Sequence, residues 1–187
     1  MCIQFTLNPN KAMQTLLWIL TQKPDINVYN INKVMFDADC YSLNNFGRPI
    51  YGEQYVAMKF GTVPRFMYDL TKVTKNMPFF KSSLHGLSTN ATVDMSVFSP
   101  SDLEALQHGI DEYADLNFGN VLNKNHEHQA WKNREQELSY QNAVNIPYED
   151  MIDNPDVLED LKDLGNLTQN MVSVSYTHLT LPTNSRV

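Results

Sequence analysis

Prolines and their flanking residues divide this chain into short segments, and this division constrains the fold more than any other feature of the sequence. Asn8 followed by Pro9 is typical of a helix start, because proline suits the first helical position. Pro64 predicts another helix start further along. The apolar repeats that follow these starts end before Pro24 and before Pro78, where a helix cannot continue. The sequence therefore predicts several short helices.

Apolar residues recur at helical spacing within these segments. Asp25 is predicted to cap a second helix whose apolar stripe runs from Val28 to Ser42, with Gly47 at its C-terminal end. Ser101 and Glu104 predict a capping box at the start of a further helix. Later helices are predicted around Phe118 to Leu122, through Trp131 and Leu138, and after Pro147 and Pro155.

Two parts of the chain favour strands instead. Short β-prone pieces lie between Pro49 and Pro64, with turn residues at Gly52 and Gly61, and they predict a small hairpin. Residues 79–84 and 91–97 predict a second hairpin. With 187 residues, the chain suits one hydrophobic core. We therefore predict a compact, single-domain α+β fold, mainly α-helical with one or two short β-hairpins.

The charge is negative overall and unevenly distributed. The formal net charge of -7 argues against nonspecific binding to nucleic acid or to an anionic membrane, because both require a positive surface. Residues 45–89 carry six Lys or Arg and two Asp or Glu, whereas residues 90–172 carry four and sixteen. This asymmetry fits two faces that complement each other within one fold, and it also fits an acidic surface offered to a basic partner.

Several other classes of protein are not indicated. The apolar run from Leu16 to Leu20 is too short to span a bilayer, which takes about 20 residues, and we predict a cytoplasmic protein. Cys2 and Cys40 give neither a disulfide framework nor a metal-ligand spacing. No nucleotide-binding glycine loop or nucleophile elbow is present, and we predict neither a cofactor nor an enzymatic activity.

The end of the sequence differs in character from the rest. From about Ser173 onward it resembles a translated sequencing adapter, most clearly over residues 174–183. We therefore predict that residues 1–172 form the domain and that residues 173–187 are a non-native tail.

The segment from Lys33 to Asp69 resembles the signature of the Panacea domain, the SocA-like antitoxin family that also occurs in phage-associated proteins. The matching elements are Lys-apolar-apolar-aromatic-x-Ala-Asp at 33–39, Gly-Arg-Pro-Ile-x-Gly at 47–52, Tyr-x-Ala-Met at 55–58, Gly-x-Val-Pro at 61–64 and Tyr-Asp at 68–69. Residues 98–106 and 126–131 resemble two further family segments in the same order. The chain departs from the pattern at Asp37, Thr62 and Met67.

This resemblance implies an antitoxin of a type II-like toxin–antitoxin system, which neutralises a cognate toxin, encoded nearby, by direct protein–protein binding. The predicted partner-binding residues are Asp39, Arg48, Tyr55, Phe60, Arg65, Tyr68 and Asp69. An alternative interpretation is structural: the glycines and prolines fix a chain reversal, the aromatic residues fill the core, and the arginine forms an ion pair with an aspartate.

Three other functions stay open at this point, and the least favoured is a hydrolase whose site matches no known motif. A DNA-binding autoregulator of the operon is less favoured, because the basic region is small and no helix-turn-helix pattern is found. A proteolytic adaptor would differ from an inhibitor by causing loss of its partner. A zinc-protease site at His126 and Glu127 is not supported, because that motif needs a second histidine where Ala130 stands.

Overall fold

A computed structural model describes residues 3–165 and confirms the predicted fold class, a mainly helical domain with short strands. The helices are α1 (Pro9–Gln22), α2 (Val28–Phe46), α3 (Arg65–Val73), α4 (Pro100–Tyr113), α5 (Phe118–Glu127), α6 (Gln129–Lys132) and α7 (155–165). The strands are β1 (Tyr55–Met58), β2 (Gly61–Pro64), β3 (Phe80–Ser82), β4 (Leu87–Thr89) and β5 (Ala143–Ile146). The proposed non-native tail lies outside the described residues.

The first helix begins where the sequence predicts, but two other caps are displaced by two residues. The N-cap of α2 is Asn27, whose side chain accepts a hydrogen bond from the backbone of Tyr29, and not Asp25. The capping box of α4 joins Ser99 and Asp102 instead of Ser101 and Glu104. Proline at the first position of α4 explains this displacement, because the cap must then be the residue before it.

Helices α2 and α4 pack closely against each other in the centre of the fold. Gly109 of α4 lies against the α2 backbone, where an added Cβ would collide with the carbonyl oxygen of Val34. Asn30 of α2 donates hydrogen bonds to three carbonyl oxygens at the end of α4, at distances of 2.9–3.1 Å. These contacts fix the position of α2 relative to α4 and its following loop.

The strands form two small antiparallel sheets. The predicted hairpin of β1 and β2 is confirmed, and β5 adds to it along β1, which gives the order β2-β1-β5. The strand β5 is absent from the sequence prediction. The second hairpin pairs β3 with β4, so the prediction of a strand over 91–97 is wrong. The buried Leu87 explains the difference, because its backbone also bonds to Ile26 ahead of α2.

Buried side chains form two apolar clusters. The larger one lies between α1, α2 and α4, and the smaller one joins α2 to the three-stranded sheet and to the region around Trp131. The helix predicted through Trp131 and Leu138 is interrupted, because α6 ends at Lys132 and a short 3-10 turn follows at Glu137–Ser139. Within residues 3–165, no helix is long and apolar enough to cross a membrane.

Candidate functional site: an interior polar network beneath an exposed aromatic cluster

Asp39 is the centre of a buried polar network. Its side chain is fully buried on α2, and it accepts hydrogen bonds from the backbone N–H of Ile50 at 2.8 Å and from the hydroxyl of Tyr55 at 2.7 Å. The Tyr55 hydroxyl also lies 3.1 Å from the carbonyl oxygen of Met35. Burial raises the pKa of Asp39 to about 7. The network ties α2 to the chain reversal before β1 and to β1 itself.

Glu53 makes a second buried site in the same chain reversal. Its carboxylate accepts hydrogen bonds from the backbone N–H groups of Gln54, Phe66 and Met67 and from the hydroxyl of Tyr51, at 2.8–3.0 Å. Burial raises the pKa of Glu53, although these bonds oppose the effect. Because α3 has no side-chain cap of its own, Glu53 supplies the acceptor for its first turn.

Arg48 forms a half-buried ion pair with α4, and its partner is Asp102 rather than Asp39 or Asp69 of the signature. Its guanidinium donates to Asp102 at 2.8 Å and to the hydroxyls of Ser99 and Ser101. Lys11 of α1 bonds to the same aspartate at 2.7 Å. Burial alone would raise the pKa of Asp102, but hydrogen bonds from Lys11, Ser99 and Arg48 bring it below its usual value.

Lys33 of α2 binds the first hairpin from its buried side, near the start of β2. Its side chain is fully buried on α2, and its amine donates a hydrogen bond to the carbonyl oxygen of Thr62 in β2. Asn125 of α5 binds the same residue twice, through the Thr62 N–H at 2.7 Å and the Thr62 hydroxyl at 2.9 Å. Gly61 has a φ of 96°, and a Cβ there would lie 2.9 Å from the Lys33 amine. We call Lys33 and Asn125 the hairpin clamp.

The buried amine of Lys33 should be visible in the pH dependence of stability. Burial lowers its pKa to about 7, whereas the unfolded chain keeps the proton up to about pH 10.5. The unfolded state therefore binds more protons between these values, and stability should rise with pH there. We expect the wild type to gain on the order of 3 kcal/mol relative to Lys33→Met between pH 7 and pH 10. Urea unfolding at several pH values measures this difference, and parallel profiles would contradict it.

Above the hairpin clamp lies a group of three rings, two exposed and one half-buried, which we call the aromatic cluster: Tyr29, Phe60 and Phe118. Phe60 and Phe118 are 54% and 53% exposed, and their ring centroids are 6.0 Å apart. Phe118 also packs on Tyr29 at 4.9 Å, and the Tyr29 hydroxyl donates to the carbonyl oxygen of Phe60 at 3.0 Å. Of these three, the sequence singles out only Phe60 as a binding residue. The other two come from α2 and α5, and only the fold brings them to it.

The predicted residues on α3 lie on its outer side. Arg65 is exposed and donates to the side chain of Asn145 in β5 at 2.8 Å. Asp69 is exposed and pairs with Lys72 at 2.9 Å, and the Lys72 amine lies 3.7 Å from the ring centroid of Tyr68. These residues therefore form a small charged and aromatic surface.

The predicted partner-binding residues thus separate into two groups. Asp39 and Tyr55 are 0% and 2% exposed, so in this conformation they contact only their own chain. They support the surface from inside, because a buried carboxylate with two donors is a structural element. Phe60 and the α3 residues are accessible, and the Arg48 side chain is 37% exposed beside its ion pair.

The histidines that suggested a metal motif have other roles. His126 stacks on Trp131 with ring centroids 3.6 Å apart. His128 accepts a hydrogen bond from the N–H of Ala130 at the start of α6, and its ring contacts Phe36. Among residues 3–165, no group of three or more His, Cys, Asp and Glu side chains is placed to hold a metal ion.

The fold and the site define a mainly helical α+β domain, with a buried polar network and with exposed aromatic and charged residues on its surface. A family model described as "Antitoxin SocA-like, Panacea domain" matches residues 31–132, which is more than half of the chain. The chain therefore belongs to the SocA-like antitoxin family with a Panacea domain. The comparison with curated proteins finds no match, and the comparison with solved structures also finds none.

Proposed function

We propose that this protein is the antitoxin of a two-gene, type II-like toxin–antitoxin system, and that it neutralises a toxin encoded nearby by binding it directly in the cytoplasm. The observation that carries the proposal is the family match, which covers both the buried network and the aromatic cluster apart from Tyr29. The proposed role is inhibition by occupancy of the toxin surface, and it requires no cofactor and no catalytic step.

The arrangement of the signature residues supports binding by a preformed surface. The proposed contact residues are Phe60, Arg65, Tyr68 and Asp69, and Arg48, which binds the start of α4, is a further candidate. Aromatic and arginine residues contribute most to typical protein interfaces. The buried residues Asp39 and Tyr55 hold the backbone below them in place. A surface that is already ordered loses less conformational entropy when it binds, and this favours tight association.

A growth assay tests the proposal. The adjacent open reading frame would be expressed from one inducible promoter and the full antitoxin chain from an unrelated one. We expect the neighbour alone to stop growth and the two together to restore it, with the amount of toxin protein unchanged. Unrelated promoters remove any effect of autoregulation on this result.

Three outcomes would contradict the proposal. The neighbour could be harmless, or its toxicity could persist although the antitoxin is soluble. If growth returns while the toxin protein disappears with time, the proteolytic adaptor becomes the better interpretation. Immunoblots of the toxin over a chase period separate this third outcome from inhibition by binding.

A further inference from the structure

We propose that the aromatic cluster, with Lys59 beside it, is the anchor point for the toxin, and that it takes a toxin segment presenting an apolar side chain next to a carboxylate. This inference rests on the proposed function and specifies the partner chemistry of that binding surface. Tyr29 and Phe118 thereby join Phe60 as contact residues.

The cluster has the features of a binding hot spot. Two phenylalanine rings that are each about half exposed lie in contact, and a third ring supports them. Exposed large apolar side chains that occur singly are common on soluble proteins, whereas a contiguous patch indicates a contact surface. Tyr140 provides the contrast: its ring is 70% exposed and packs on no other ring in the described part of the chain.

Hydrogen bonds to three side chains, those of Tyr29, Lys33 and Asn125, fix the backbone under the cluster. The Tyr29 hydroxyl bonds to the Phe60 carbonyl, and the hairpin clamp bonds to Thr62 two residues later. Gly61 connects these points with a φ of 96°, which permits the close approach of Lys33 and Asn125. The turn that carries Phe60 is therefore fixed before any partner arrives, as an anchor residue requires.

A pocket of about 390 Å³ adjoins the cluster, and its wall is polar at the Lys23, Asp25 and Asp115 side and apolar where the cluster borders it. Tyr29 and Phe118 form part of its wall, together with Ile26 and Leu116. The carbonyl oxygen of Leu116 already accepts a hydrogen bond from Asn30. This polar group of the wall is thus satisfied within the protein, and an apolar side chain can cover it without loss of a hydrogen bond.

The charges near the cluster favour a carboxylate on the partner. Lys59 is exposed, its amine lies 5.8 Å from the ring centroid of Phe60, and it forms no ion pair with the described residues. By contrast, Lys23 beside the pocket pairs with Asp115, and Lys124 of α5 pairs with Glu112. Asp25 in the pocket wall accepts a hydrogen bond from Ser83. Lys59 is therefore an exposed cation beside the cluster without an ion pair among residues 3–165, although Glu135 lines the same surface pocket as Lys59, and an acidic group on a partner complements this lysine.

Binding measurements on single variants test the role of the aromatic cluster as the anchor point. The probe is the purified polypeptide of the adjacent open reading frame, titrated calorimetrically against the full chain. We expect Phe60→Ala and Phe118→Ala each to weaken its Kd by about 30-fold or more, as hot-spot truncations do. Tyr140→Ala removes a ring that is more exposed but lies elsewhere, and it should change the Kd by less than about twofold.

Charge variants test the proposed carboxylate of the toxin segment. Lys59→Glu should weaken binding about tenfold, because it brings like charges together, and Lys59→Arg should bind like the wild type. Lys81→Glu makes the same charge change at another exposed lysine of the basic segment, and it should have little effect. If Lys59→Glu and the wild type had equal Kd values, the proposal of a carboxylate on the toxin segment would be wrong.

The outcomes distinguish this inference from the proposed function. If the probe does not bind the wild type, both fail. If the probe binds the wild type and both variants, Phe60→Ala and Phe118→Ala, with equal Kd, the antitoxin function stands and the aromatic cluster is not the anchor point. Thermal unfolding of each variant checks that it is folded. If Phe118→Ala unfolds at a lower temperature than the wild type, the Kd of Phe60→Ala, at the hairpin turn, tests the anchor point instead.

Discussion

Replacing Asp39 with alanine is expected to lower the free energy of unfolding by about 2–5 kcal/mol. The substitution leaves the backbone N–H of Ile50 without an acceptor and removes one partner of the Tyr55 hydroxyl, in a region closed to water. A buried donor without a partner costs about 1–3 kcal/mol, and the empty volume adds to this. Urea unfolding followed by the fluorescence of the buried Trp18 and Trp131 measures the change.

Asp39→Asn should be far milder, at about 1 kcal/mol or less. The asparagine oxygen can accept from the N–H of Ile50, its amide can donate to the Tyr55 oxygen, and the Tyr55 hydroxyl can then donate to the carbonyl of Met35. A protonated Asp39 can make the same bonds, which agrees with a pKa raised to about 7. Asp69→Ala, at an exposed aspartate of the same signature, should change stability by less than about 0.5 kcal/mol.

The wild type should also differ from both Asp39 variants in the pH dependence of stability, because neither alanine nor asparagine titrates. The folded pKa of Asp39 lies above its unfolded value, so the group stabilises the fold fully below about pH 4 and loses this contribution as pH rises through about 7. Relative to Asp39→Asn, the wild type should therefore lose stability between pH 4 and pH 8. A large loss for Asp39→Asn at every pH, equal to that of alanine, would show that the hydrogen bonds above are misassigned.

Local sequence signals explain how much of the fold was predictable. The starts of α1 and α3 and the left-handed Gly47 at the end of α2 follow from residues within a few positions of each other. The displaced cap at Ser99 is also a local matter, because two serines flank Pro100 and both suit a capping box. The position of the helix was therefore predictable, whereas the choice between the two serines was not.

The missed features depend on contacts between distant parts of the chain. The strand β5 has four residues, and its partner β1 lies more than eighty positions earlier, so no local pattern specifies the pairing. Glu53 occupies an unassigned position of the signature, and its role appears only when α3 packs over it. Tyr29 and Phe118 likewise meet Phe60 through the packing of α2, α5 and the hairpin. The family signature indicated the right region but could not separate supporting residues from surface residues.

A pair of glycine substitutions should shift stability in opposite directions. We expect Gly109→Ala to lower the free energy of unfolding by about 2–3 kcal/mol, despite the better helix propensity of alanine. An added Cβ would lie closer than 3.0 Å to the Val34 carbonyl oxygen and 3.2 Å from the Cβ of Ala38. Both obstacles belong to α2, and one of them is backbone, so the collision can be relieved only if α2 and α4 move apart.

Gly119→Ala is the matched control in α5. The nearest atom to an added Cβ there is the side-chain oxygen of Asn117 at 3.6 Å, which is an ordinary contact, and this glycine is exposed. Alanine should therefore stabilise the protein by about 0.5 kcal/mol, through its higher helix propensity and the smaller freedom of the unfolded chain. Because α2 carries Tyr29, Lys33 and Asp39, separation from α4 in Gly109→Ala should also weaken binding at the aromatic cluster. Equal stability of Gly109→Ala and Gly119→Ala would contradict this prediction. The close packing of α2 on α4 would then not explain how the aromatic cluster is positioned.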